Sequence, residues 1–363
     1  MTENKRLVSV ELLRISAMVM VVVMHFLRES GSLLLAEQTG SLTAEGLLAT
    51  ILEAFCIVAV NAYVFISGYF GCESRFKPAK AITFLCQIWF YSLLIPIILV
   101  FMGKPVIAKE MGIYGVLQYV LPIETESYWF ATSYFLLLLL MPVLNKGAGK
   151  MTKGQFQFTL LGLLLIFCGI KSICPIALAF DRYGYDVLWF ICVYFTAAYL
   201  KKYGADFFRR HSWKIYVGSS LMIAGMTLGL WLVLPYFSKA AYYFTVPFHY
   251  NFIFCLTGAI GLFYGFLKLN IKEGRAARLI RRAGRYSFGI YLLHEHPDLR
   301  YHWYPFLKGI INPLGKSGAG MLLTELIFSV VILFAAGLII EWIRDGIFKG
   351  LRPLLDRKFE KLW

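Results

Sequence analysis

Ten apolar runs, each close to the ~20 residues that carry a helix across a bilayer, constrain this chain more than any other feature. They occupy residues 7–28, 47–72, 80–102, 128–145, 155–180, 184–200, 213–237, 243–267, 285–305 and 319–343, the ninth interrupted by Pro297 and several charges. Within lipid every backbone polar group needs an internal partner, which leaves helices or closed barrels. The runs exceed the ~9–11 residues of a barrel strand and lack strict alternation. The expected fold is therefore all-α, a polytopic integral membrane protein with about ten transmembrane helices in one bundle. Composition agrees: 59% of residues are hydrophobic and 16% charged, against about 45–50% and about 25% in a soluble domain. Residues 1–343 read as one membrane domain. Residues 344–363 read as a basic amphipathic tail, with Phe348, Leu351, Leu355, Phe359 and Leu362 set among Lys and Arg, as suits a helix on an anionic surface.

A net charge of +15 first suggests nucleic acid, but its placement points to membrane lipids instead. With the N-terminus in the cytoplasm, the inner segments hold 26 of the 36 Lys and Arg, and the outer loops hold 8. That asymmetry places both termini in the cytoplasm and excludes nucleic acid as a partner. Lys5 and Arg6 ahead of an apolar run imitate a signal peptide. Met24-His25-Phe26 offers no small-residue cleavage site, however, so the run reads as a retained first span. The seven cysteines lie mostly in apolar runs without a C-x-x-C pair, and read as packing residues. The outer segment 103–127, with Pro105, Pro122 and apolar Ile113–Leu121, reads as interfacial or re-entrant.

An ionisable residue inside a span costs about +2.5–3.5 kcal/mol on insertion, so each is a candidate for function. The first span holds Glu11, Arg14 and His25. Glu11 and Arg14 are i,i+3 neighbours able to pair. Arg14 and His25 are eleven residues apart, which returns them to within about 20° of one helix face and separates them by roughly 16 Å along the axis. The second span carries Glu53, Asn61 and Ser67. In the ninth, Ser287, Tyr291 and His294 share one face. Five of the six histidines fall near the outer side, but none has H-x-x-x-H or H-E-x-x-H spacing, so no metal is expected. Glu325 and Glu341 lie on different faces of the last span and read as structural. G-x-S-x-G, Walker and G-x-G-x-x-G signatures are missing.

Four motifs in order, Val10-Glu11-Leu12-Leu13-Arg14 with His25, Phe65-Ile66-Ser67-Gly68-Tyr69, Trp129-Phe130 with Pro142, and Ser287-Phe288-Gly289-Ile290-Tyr291-Leu292-Leu293-His294, resemble the membrane-bound acyltransferase-3 family over nearly the whole chain. The resemblance implies a ten-span bacterial enzyme of the cytoplasmic (inner) membrane that moves an acyl group, commonly acetyl, from coenzyme A to a hydroxyl of an envelope carbohydrate. It implies His25 as the catalytic histidine and Arg14 as its partner that positions the donor. Glu11, Ser67, Trp129, Ser287, Tyr291 and His294 would line the donor or acceptor pocket, and Arg75 and Lys77 would dock the donor phosphates. Two departures are visible: Glu11 stands where many members have Asp, and Arg75 and Lys77 replace a pair of arginines.

The chemistry this implies is coherent. A sugar hydroxyl is a poor nucleophile near neutral pH, so neutral His25 would act as its general base at the thioester, with Tyr291 or Ser287 as oxyanion donors. No cofactor is bound permanently in this reading. Acetyl-CoA or another acyl-CoA is the donor substrate, a carbohydrate or glycolipid is the acceptor, and a homo-oligomer is compatible. A rival reading, a transporter or flippase of lipid-linked glycans, fits ten spans and intramembrane charges equally well. It predicts two related halves, and the Arg14/His25 pattern has no counterpart in the second half. A glycan polymerase would call for a large outer loop with paired arginines, and the outer loops here are modest.

Overall fold

The computed structural model describes residues 7–36, 42–174, 177–179, 181–237 and 241–350. Among them there are helices and turns and no strand. The first half of the chain forms α1 (Val8–Ser30), α2 (Ala44–Cys56), α3 (Ala59–Gly71), α4 (Pro78–Phe101), the short α5 (Ile107–Met111) and α6 (Ile113–Val120), α7 (Trp129–Lys150), α8 (Lys153–Leu164) and the single turn α9 (Ile170–Ile173). The second half forms α10 (Val187–Tyr203), α11 (Asp206–Val233), the short α12 (Ala241–Thr245), α13 (Ile253–Leu267), α14 (Arg275–His294), α15 (Trp303–Ile311) and α16 (Ala319–Phe348). Local chemistry sets many of the ends. Thr43 caps α2 through the Gly46 amide at 3.0 Å. Thr152 and Gln155 form a reciprocal capping box on α8, and Asp186 caps α10 through the Trp189 amide at 3.0 Å. These side chains accept from amides that a helix start leaves unpaired.

Among the described residues, eight helical stretches are long and apolar enough to cross a membrane: Val8–Ser30, Ala44–Gly71, Pro78–Phe101, Trp129–Lys150, Lys153–Ile173, Asp206–Val233, Ala241–Leu267 and Ala319–Lys349. The protein is an all-α polytopic membrane protein. The other two expected runs take different forms. Residues 184–200 become α10, 17 residues long and capped on both sides. The run 285–305 does not form one helix: α14 begins ten residues earlier in the basic loop and stops at His294, and a turn through Pro297 leads into α15. The charges and proline that interrupt that run end the helix there, because proline cannot donate to the preceding turn. Segment 103–127 folds into α5 and α6, held to α4 by Ser92 donating to the Tyr119 carbonyl at 2.6 Å and Trp89 donating to the Val120 carbonyl at 2.9 Å. Of the tail, α16 continues through Phe348, and residues 351–363 lie outside the described residues. All seven cysteines are unpaired.

Helices α1, α2–α3 and α13 are mostly buried, whereas α4, α7 and α16 turn apolar faces outward, including Ile97, Val143, Ile327 and Val331. An apolar exterior around a close-packed centre suits lipid as solvent. Small residues bring α14 against both its neighbours. A methyl at Gly284 would lie 2.8 Å from the Glu11 backbone oxygen on α1, and one at Gly289 would lie 2.2 Å from Glu341 Cγ on α16. Such contacts let helix backbones approach in membranes, where packing rather than the hydrophobic effect holds helices together.

Several intramembrane polar groups serve this architecture. Asn61 donates to the Tyr250 carbonyl at 2.7 Å and accepts from Trp189 Nε1 at 2.9 Å, satisfying the irregular backbone between α12 and α13. Glu341 pairs with Arg344 at 2.8 Å and accepts from Tyr91 at 2.9 Å. Glu325 accepts from Tyr304 at 2.8 Å and Asn312 at 2.7 Å. Buried Lys171 pairs with Asp181 and lies over the faces of Tyr183 and Tyr242 at 4.7 and 4.9 Å.

Candidate active site

Helices α1 and α14 pack along each other, so the polar stripe of the first span meets that of the ninth. At one end Arg14 pairs with Glu11 and lines a cavity of about 200 Å³ together with Tyr63, Ser67, Phe84, Gln87, Phe130, Tyr134, Gly284, Arg285, Ser287 and Phe288. Ser67 Oγ lies 2.8 Å from the Tyr134 hydroxyl. Ser287 donates to the Gly284 carbonyl at 2.9 Å, and Tyr63 donates to the Arg14 carbonyl at 2.6 Å. Glu11 packs against Gly284, which lines this cavity, and pairs with Arg14.

Along the same stripe lies a second, much narrower cavity, lined by Met18, Val21, His25, Val60, Tyr63, Trp129, Phe130, Tyr250, Phe288 and Tyr291. Tyr63, Phe130 and Phe288 line both cavities, so three aromatic side chains stand between the Arg14 end and the His25 end. Trp129 is fixed beside them by stacking on Tyr250 (5.4 Å, 22°) and against Tyr185 (4.4 Å). Tyr291 is buried, and among the described residues its hydroxyl has no acceptor for its proton.

The imidazole of His25 is held by residues that end α14. His25 Nδ1 lies 2.7 Å from His294 Nε2, and His294 Nδ1 lies 2.6 Å from the Ile290 carbonyl oxygen. Glu295 Oε1 stands 3.4 Å from His25 Nδ1 and 3.5 Å from the Arg28 guanidinium, while Arg300 holds the Glu295 carbonyl at 2.9 Å. His25, His294 and Glu295 bring their ligand-type atoms within 4.8 Å of one another. Sequence spacing does not show this group, because its members lie 269 and 270 residues apart. Two nitrogens sharing one Zn²⁺ at ~2.0–2.1 Å in tetrahedral geometry would stand roughly 3.3 Å apart. The 2.7 Å separation is instead that of a direct hydrogen bond.

Of the residues expected from sequence, the structure gathers His25, His294, Tyr291 and Trp129 at one end of the stripe, and Arg14, Glu11, Ser67 and Ser287 at the other. Arg75 and Lys77 are exposed and line neither cavity. The cation that joins Arg14 at the larger cavity is Arg285, which also pairs with Asp345 at 2.7 Å. Tyr63, Phe130, Phe288, Arg285 and Glu295 are the lining and supporting residues that sequence reasoning misses. Arg285, Phe288, Tyr291 and Glu295 recur at three- and four-residue steps along α14, and that periodicity is the signal that marks them.

No curated protein and no solved structure matches the chain. The sequence profile of the acyltransferase-3 family, described as an acyltransferase domain, matches residues 7–343, nearly its whole length. The matched region carries α1, α14 and both cavities, and the chain belongs to the acyltransferase-3 family of membrane acyltransferases.

Proposed function

We propose that this membrane acyltransferase moves an acyl group, acetyl in the simplest case, from acyl-coenzyme A to a hydroxyl of a cell-envelope or exported carbohydrate. The observation that carries the reading is the pair of adjoining cavities on one stripe: an arginine-flanked cavity at one end, three shared aromatic side chains, and a buried histidine at the other. The anionic head of the donor sits at the Arg14 and Arg285 end, with Arg75 and Lys77 on the surface beyond α3. Its pantetheine arm passes Tyr63, Phe130 and Phe288 and covers the roughly 16 Å of α1 between Arg14 and His25. With the positive-inside orientation, donor enters from the cytoplasm of a bacterium and acceptor meets it near the outer face.

His25 is the general base in this reading. Its free ring nitrogen takes the proton of the acceptor hydroxyl as that oxygen attacks the thioester carbonyl carbon. Collapse of the tetrahedral intermediate breaks the carbon–sulfur bond, and His25 returns the proton to the departing thiolate. The products are the acyl ester and free coenzyme A. Glu295, at 3.4 Å, faces the positive charge His25 carries between these steps. The Tyr291 hydroxyl is the better placed oxyanion donor, since Ser287 already spends its proton on Gly284.

The test uses protein in nanodiscs with acetyl-CoA and an envelope glycan extract, and reads release of free thiol. Acceptor-dependent release that is lost in His25→Ala and weakened through donor affinity in Arg14→Ala supports the reading. Folded protein that neither releases thiol nor shifts its melting temperature with any acyl-CoA favours the transporter reading.

A further inference from the structure

We propose that His294 is the positioning residue that fixes the tautomer of His25, so that Nδ1 carries the proton and Nε2 presents its lone pair to the substrate. The inference rests on the acyl-transfer reading above and assigns a role to a residue outside the reacting atoms. It follows from which atoms can donate. The Ile290 carbonyl can only accept, so at 2.6 Å His294 Nδ1 must carry its proton. A neutral His294 then has a bare Nε2. That nitrogen lies 2.7 Å from His25 Nδ1, so the proton of this second bond belongs to His25. The Glu295 carboxylate on the same Nδ1, at 3.4 Å, is again an acceptor. The bond to His294 therefore demands Nδ1–H on His25, the nearby carboxylate is compatible with it, and Nε2 is left bare.

The opposite arrangement would place protons on both nitrogens of His294, a cation on a side chain with no solvent exposure. Such a group is costly without a paired anion. His25 is thus held by the logic of a catalytic triad, with a backbone carbonyl and a second histidine where a carboxylate usually stands alone. The helix end supplies the geometry. α14 stops at His294, so the His294 ring, anchored on the carbonyl four residues back, and the carboxylate one residue on both reach the His25 ring of α1. A purely structural His294 would pack equally well as an apolar residue of similar size, and that difference is measurable.

The experiment takes the full chain in nanodiscs with ¹⁵N-labelled histidine, His25 being assigned by its loss in His25→Gln. Wild-type His25 should show a protonated Nδ1 and an unprotonated Nε2. In His294→Leu that preference should disappear and kcat should fall about 10²–10⁴-fold, while the donor KM stays within about two-fold. His294→Gln keeps an oxygen able to accept from His25 Nδ1–H, and should hold the wild-type tautomer and lose no more than about ten-fold in kcat. A wild-type spectrum with the proton on Nε2 overturns the inference without any activity measurement, and so decides the matter even if His294→Leu fails to fold. So does a folded His294→Leu with wild-type kcat and tautomer. If instead His25→Gln retains full transfer, the acyl-transfer reading itself has failed, a result separate from either outcome at His294.

Discussion

Gly284→Ala tests whether the α1–α14 contact sets the geometry of the site. Its Cβ would lie 2.6 Å from Glu11 Oε2 and 2.8 Å from both Glu11 Cβ and the Glu11 backbone oxygen, where ordinary contact begins at 3.4 Å. The carboxylate can rotate away, but the backbone oxygen cannot, so α14 must retreat by about 0.6 Å, the difference between 3.4 and 2.8 Å. Residue 294 lies about 15 Å further along the same helix. Carried there undiminished, the shift stretches the 2.7 Å His25–His294 bond to about 3.3 Å, beyond normal hydrogen-bond length. Overpacking of this kind costs about 1–3 kcal/mol, and a misplacement approaching 1 Å at a reacting group can cost up to about 10²-fold in rate. The expected result is therefore a lower melting temperature in nanodiscs and a roughly 10- to 100-fold fall in kcat for acyl transfer. Gly225→Ala, where the new methyl meets no described atom within 4 Å beyond its own helix backbone, is the matched control and should change neither. Wild-type kcat and stability in Gly284→Ala would refute the claim that this contact aligns the histidines.

Three further outcomes are expected. Tyr291→Phe removes the hydroxyl whose proton has no acceptor among the described residues, and should lower kcat by about 10²–10³-fold with donor KM little changed, read from steady-state thiol release. Arg285→Ala should raise the donor KM several-fold while Lys77→Ala leaves it within about two-fold, because Arg285 lines the larger cavity and Lys77 does not. Lys171→Met leaves Asp181 buried without its cation and should cost about 3–5 kcal/mol in unfolding experiments, whereas the double variant with Asp181→Leu recovers most of it.

Periodicity and run length made most of the helices legible, because in lipid the backbone has few alternatives to a helix. The stripe joining Arg14 to His25 was equally legible, since a single helix fixes it. What sequence spacing could not supply was the partner of that stripe. His25 meets His294 and Glu295 where α14 packs on α1, close at Gly284, and no local pattern encodes which helix packs on which. The ninth run was misplaced for a related reason. Its basic first half, Arg275–Arg285, reads as a loop by hydropathy, yet those residues are helical, with Arg285 at the cavity and paired to Asp345. Arg75 and Lys77, which follow the Ser67-Gly68 motif, are exposed and line neither cavity.

The central claim is that the acyl carbon of a donor held at Arg14 lies beside His25. Bromoacetyl-CoA places an electrophile at that position, and peptide mass spectrometry after its reaction with the nanodisc-embedded protein reads where it lands. A single adduct on His25, blocked by excess acetyl-CoA and slowed in Arg14→Ala, is the predicted result. Labelling that acetyl-CoA blocks yet falls on another residue while His25 stays unmodified would contradict it.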